Sequence, residues 1–129
     1  MVIIDTSIWV QAYRVQASPE RAEVERLVQS GEAATLGLIL AEVLRGARSE
    51  TEFDEITEEL LATRLLDSNQ QTWILAGRIL FDLRLRGQTI PLPDAVIAAH
   101  ALAGDHELYS LDEHFSRVPG LKLHEVGGA

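Results

Sequence analysis

The chain has 129 residues, 47% of them hydrophobic, which suits one domain spanning 1–129 with a real core and leaves no room for a second. Cysteine is absent, which excludes disulfides, zinc–thiolate sites and a thiol nucleophile and leaves any chemistry to oxygens and imidazoles. Against 11 basic residues stand 20 acidic ones, a net charge of −9, unlike the basic footprint of most nucleic-acid binders.

Val2-Ile3-Ile4 is short and β-branched and predicts a buried central strand, with Thr6-Ser7-Ile8-Trp9-Val10 starting a helix after Asp5. Pro19 to Val28 reads as an amphipathic helix capped by Ser18 and stopped by Gly31. Ala33 to Leu36 is a candidate strand, followed by the apolar run around Glu42 and a helix from about Glu52 to Ala62. A brief strand at Arg64-Leu65-Leu66 precedes the longest helical stretch, Gln70 to Arg86, ended by Gly87. Pro91-Leu92-Pro93-Asp94 then opens a helix to Ala103, with strands at Glu107-Leu108-Tyr109 and Leu121-Lys122-Leu123 on either side of a helical turn near Asp112. Gly127-Gly128-Ala129 reads as a frayed end. Strands alternating with helices predict an α/β fold with a parallel sheet. No apolar run reaches the roughly twenty residues that span a bilayer, and no basic region precedes an apolar one at the start, so no membrane role and a cytoplasmic setting are expected.

Four acids, Asp5, Glu42, Asp94 and Asp112, sit at the edges of apolar segments. Each has a simpler reading. Asp5 or Thr6 could cap the first helix. Glu42 shares a helix face with Arg45 and could form a pair worth a few tenths of a kcal/mol. Asp94 suits the dipole of the helix it opens. For Asp112 the cap is not needed, because Ser110 and Glu113 already form a capping-box pattern. In open α/β sheets, however, ligands gather outside the carboxyl ends of the strands, where these acids would meet.

Two carboxylates about 4 Å apart repel by roughly 4 kcal/mol at an effective dielectric near 20, so such a group calls for a cation. Oxygen-only ligation points to magnesium or manganese rather than zinc. His100, His106, His114 and His124 show no zinc-like pairing and are expected to be surface or helix-packing residues. Ten of the 11 basic residues are arginines, the better phosphate ligands, with Arg45 and Arg48 one turn apart beside Glu42.

Asp5-Thr6-Ser7, the run Leu40 to Gly46 around Glu42, Leu92-Pro93-Asp94-Ala95-Val96-Ile97-Ala98 and Tyr109 to Phe115 around Asp112, in that order, resemble PIN-domain ribonucleases, specifically toxins of the VapC type. The resemblance covers essentially the whole chain. It implies a three-layer α/β/α PIN-like fold with a central parallel sheet of roughly four to five strands. It further implies an endoribonuclease that hydrolyses phosphodiester bonds with Mg2+ or Mn2+, commonly a homodimer, held inactive by a VapB-type antitoxin. Carried over by position, Asp5, Glu42, Asp94 and Asp112 match the acidic quartet of metal ligands, and Ser7 the hydroxyl beside the first acid. Ser110 stands where the family more often has Thr. Arg45 and Arg48 are candidates to contact RNA or the antitoxin.

Other classes read less well. A receiver-like phosphoacceptor needs a late lysine, and the sole lysine, Lys122, lies inside the last strand. A catalytically silent PIN-like interaction module would keep the fold without turnover. A metal-free ribonuclease would use histidine pairs and leave cyclic phosphates. The apolar stretch from Trp73 to Leu85 covers more than one helix face, as core or as a surface for a dimer or partner.

Overall fold

Val2–Ile4 forms β1, and all three side chains are buried, because this strand is covered on both faces. The computed structural model describes residues 1–127; Gly128 and Ala129, within the stretch that the sequence reads as frayed, lie outside the described residues. After β1 come α1 (Thr6–Arg14), α2 (Pro19–Gln29), β2 (Ala33–Leu36), α3 (Gly37–Leu44), α4 (Glu50–Leu61), β3 (Arg64–Leu66), α5 (Gln70–Leu85), α6 (Leu92–Ala103) and β4 (Glu107–Tyr109). A short 3-10 helix (Glu113–Arg117) and β5 (Lys122–Leu123) follow.

Local chemistry explains most of the boundaries. The Ser18 side chain accepts a hydrogen bond from the Arg21 amide, and Pro19 begins α2 with its φ already helical. Ser49 does the same for the Glu52 amide, so α4 starts at Glu50, two residues before the expected position. Asn69 and Thr72 form a reciprocal capping box for α5. Gly31 and Gly87, at φ +76° and +72°, take the left-handed conformation that ends α2 and α5.

The five strands are all parallel, in the order β3-β2-β1-β4-β5. The chain steps outward from β1 through β2 to β3, then jumps back to place β4 on the other side of β1. With right-handed crossovers this puts α1 to α4 on one face and α5 and α6 on the other. Helix packing agrees: α1 touches α2 and α3, α3 touches α4, and α5 packs against α6. The result is the expected α/β/α sandwich. Ile3, Ile4 and Leu108 in the sheet, Ile8 and Trp9 of α1 and Ile97 of α6 are fully buried in its core. α6 is buried from Ala95 to Ala101, where four alanines let the helix lie close on the sheet.

The last strand is tied down by a charged relay rather than by packing. His124 follows β5, its Nε2 2.6 Å from Glu23 of α2 and its Nδ1 2.7 Å from Glu107 of β4, and the Tyr109 ring meets it edge-on at 5.2 Å. Both ring nitrogens face carboxylates, so the geometry favours the imidazolium. Burial lowers the pKa of His124, but the bonds to Glu23 and Glu107 outweigh it and raise it above 6.5. The Arg26 guanidinium, against burial and with help from His124, brings Glu23 down to about 2.

The raised histidine pKa contributes stability that is complete below 6.5 and is lost as pH rises through the folded value. The depressed Glu23 pKa contributes stability present above 4.5 that is lost as pH falls toward about 2. His124→Leu is therefore expected to cost about 2 kcal/mol near pH 5.5, the loss of charge-assisted hydrogen bonds, with the gap to wild type closing as pH rises above neutrality. Thermal melts of both proteins across pH 5 to 9 check this; a gap independent of pH removes the imidazolium from the account.

Candidate active site

β1 and β4 are neighbours in the sheet, but the connections leaving them run to opposite sides, and their carboxyl ends form the crevice where α/β folds receive ligands. Asp5 is the first residue beyond β1, its amide donating to the Tyr109 carbonyl at 2.9 Å. Its side chain is only 5% exposed. It stands at the N-cap of α1 but makes no capping bond, so the simple capping role fails. Instead Asp5 Oδ2 accepts from Ser7 Oγ and from Ser110 Oγ, each at 2.8 Å. Those hydroxyls are themselves held, Ser7 Oγ accepting from the Leu111 amide at 3.0 Å and Ser110 Oγ from the Asp112 amide at 2.9 Å. The carboxylate is thus locked by two neutral donors through one oxygen.

Asp94 lies in the first turn of α6, the position its dipole favours. Burial raises its pKa first; the His114 hydrogen bond opposes this, while the charges of Asp112 and Asp5 add to it. Asp94 therefore feels the charges of both Asp112 and Asp5. Asp112 caps the 3-10 helix, its Oδ1 accepting from the His114 amide at 2.9 Å. This corrects the capping-box expectation: Ser110 Oγ accepts from the Asp112 amide rather than from Glu113, and the cap falls to Asp112.

Glu42 is half-buried on α3, and its Oε1 accepts from Thr6 Oγ1 at 2.9 Å. No Glu42–Arg45 ion pair exists among the described residues, which disposes of the intrahelical pair. Glu42 is joined to the residue next to Asp5, while Asp94 and Asp112 meet through His114. Arg45 and Arg48 are exposed beyond the carboxyl end of α3 and line one shallow depression with Phe53, which none of the four acids lines. Arg48 also pairs with Glu52 at 3.5 Å and shares a cleft between α1, α3 and α4 with Arg14.

The sequence reading missed His114. Its Nδ1 lies 2.9 Å from Asp94 and 3.1 Å from Asp112, so it is neither a plain surface residue nor a packing one. His100 does pack, buried on α6 and bonded to Ser68 at 2.7 Å. The available signal for His114 was its place two residues after Asp112, in a turn too tight to point the two side chains apart.

The chain matches the PIN domain family over residues 2–121. It belongs to the PIN domain family. No relative among curated proteins matches by sequence. Among solved structures, VapBC2 from Rickettsia felis, bound to a DNA fragment from their promoter, is similar at TM-score 0.78 and 24% identity, over 96% of this chain and 98% of that one. DNA-bound VapBC from Salmonella typhimurium gives 0.83 and 20%, over 95% and 96%. VapC20 from Mycobacterium tuberculosis, a sarcin-ricin loop cleaving toxin, gives 0.71 and 16%, over 97% and 100%. These likenesses establish the shared PIN fold.

The donor chemistry of this PIN domain fits a divalent cation. Asp5 is buried with only hydroxyl partners, and no Lys or Arg pairs with Asp5, Glu42, Asp94 or Asp112 among the described residues. An ionised Asp94 whose pKa is raised destabilises the fold at neutral pH, and an amide would not. Asp94→Asn is expected to melt a few degrees higher than wild type without divalent ions and to gain nothing when Mn2+ is added, whereas wild type gains. Scanning calorimetry with and without Mn2+ tests it, and an equal rise in both proteins takes Asp94 out of the ion's reach.

Proposed function

We propose that this PIN domain, one unit over residues 1–129, is a metal-dependent endoribonuclease of the VapC type, the toxin of a toxin–antitoxin pair working in the cytoplasm. The observation that carries this reading is the gathering of Asp5, Asp94 and Asp112 beyond the ends of β1 and β4, with no Lys or Arg paired to them among the described residues. Asp5, Glu42, Asp94 and Asp112 would hold Mg2+ or Mn2+. When bound, the ion supplies charge neutralisation and the activation of water for in-line attack on a phosphodiester.

The chain's own residues do the rest. Ser7 and Ser110 fix Asp5 through Oδ2, so the carboxylate pays little ordering entropy when its other oxygen is engaged. Thr6 orients Glu42, and the 3-10 helix turns Asp112 toward Asp94. Arg45 and Arg48, exposed beyond α3, would meet RNA phosphates or an antitoxin. Hydrolysis of this kind leaves a 5′-phosphate and a 3′-hydroxyl.

Cleavage of cellular RNA by the partner-free protein tests the reading, with Mg2+ or Mn2+ against chelator and with new 5′ ends mapped. Discrete metal-dependent cuts are expected. Asp94→Asn should lose more than the roughly 10–100-fold typical of a lost outer-shell partner. Folded protein that binds metal and makes no cuts would mark a silent interaction module instead.

A VapB-type antitoxin as partner is supported by the fold shared with the VapBC complexes of Rickettsia felis and Salmonella typhimurium. A homodimer is supported by α5: Thr72, Ala76, Ile79 and Leu83 are buried, yet Trp73, Ile74, Phe81 and Leu85 stay exposed. Ile74, Phe81 and Leu85 follow one another at helical spacing along a single outward stripe, more apolar surface than a lone helix face needs to show water. The double variant Ile74→Glu, Phe81→Glu should sediment as a monomer where wild type sediments as a dimer; a wild-type monomer at micromolar concentration counts against the dimer.

A further inference from the structure

His114 is the one nitrogen donor drawn into the acidic centre among the described residues, together with Asp94 and Asp112. One ligand atom from each of the three lies within 4.8 Å of the others. Its Nδ1 is 2.9 Å from Asp94 Oδ2 and 3.1 Å from Asp112 Oδ1. Two neighbouring ligands at right angles on an ion, each at about 2.1 Å, would themselves stand about 3.0 Å apart. The imidazole thus holds the spacing of an adjacent ligand to both carboxylates.

The local fold puts it there. Asp112 accepts the His114 amide, and Phe115, the next residue, is fully buried and anchors the turn. The ring itself is 38% exposed, and no hydrogen bond to its Nε2 is found among the described residues, so it does not fill the core, and its hydrogen-bonding tie to another element is the one to Asp94 of α6. Its contacts point into the site alone.

We infer that His114 is a nitrogen ligand of the divalent-metal centre it shares with Asp94 and Asp112, and that it tilts that centre toward Mn2+ over Mg2+. The inference rests on the metal-centre reading above. Mg2+ keeps to oxygen ligands and demands near-ideal octahedral geometry, whereas first-row transition ions accept imidazole beside carboxylate. An oxygen-only quartet would lack the contribution that imidazole makes to that bias.

Pulsed electron paramagnetic resonance of Mn2+ bound to the full chain reads this directly, without turnover. Wild type should show a nitrogen coupling whose pattern changes when the protein carries 15N-histidine. That label needs no substitution, so it stands even if a variant folds poorly. In His114→Gln the coupling should vanish, while His106→Gln keeps it. Competition of Mg2+ against bound Mn2+ should show a preference for Mn2+ that falls by roughly tenfold in His114→Gln. Mn2+ bound without nitrogen coupling overturns the inference and leaves the metal centre standing, as does a coupling that survives His114→Gln. No Mn2+ binding at all removes both.

Discussion

Ile4 and Tyr109 stand side by side in the parallel pairing of β1 and β4, and most of what this protein can do depends on that register. It sets Asp5 and Ser110, each one residue beyond its strand, at the same level of the sheet. From there a hydroxyl from the second strand reaches the carboxylate after the first at 2.8 Å. A slip of one residue would send Ser110 to the opposite face, since successive side chains alternate. Asp5, only 5% exposed, would then lose one of its two hydroxyl donors.

The same pairing gathers like charges, and the fold bears that cost through rigidity. Asp94 is held at the head of a helix buried along seven residues, Asp5 by two anchored hydroxyls, Asp112 by the turn it caps. Each is held in place, although Asp112 keeps about a third of its side chain open to solvent (36% exposed). His114 offers partial relief, since a ring N–H can donate to Asp94 or Asp112. A site built this way stores repulsion that a cation releases on binding, which is the condition for affinity without rearrangement.

How much of this was legible in the sequence differs by element. The strands and helices followed from periodicity and punctuation because their signals are local: Ser18, Gly31 and Gly87 act within a few residues of themselves. The acids were visible as carboxylates placed where apolar segments end. Their partners were not, because the bonds from Thr6 to Glu42 and from Ser110 to Asp5 join residues 36 and 105 positions apart. A local pattern even misled: Ser110 and Glu113 have capping-box spacing, but Ser110 Oγ accepts from the Asp112 amide while donating to Asp5, so the helical turn begins two residues later with Asp112 as its cap. His114 was passed over because zinc-like spacing was sought between histidines, and its partners are carboxylates.

The net charge of −9 bears on how a polyanion could reach such a site. Six acids, Glu50, Glu52, Asp54, Glu55, Glu58 and Glu59, lie on α4 alone, in the outer layer of one face. Four more belong to the quartet. The quartet is the part that a phosphodiester would have to approach, and at contact distance each uncompensated carboxylate would repel it by several kcal/mol in a partly buried setting. Repulsion from α4 acts across a Debye length of about 8 Å at physiological salt and is largely screened beyond it. On the proposed reading the cation therefore has to be in place before RNA, and the exposed guanidinium groups of Arg45 and Arg48 act second, on phosphates away from the acidic centre.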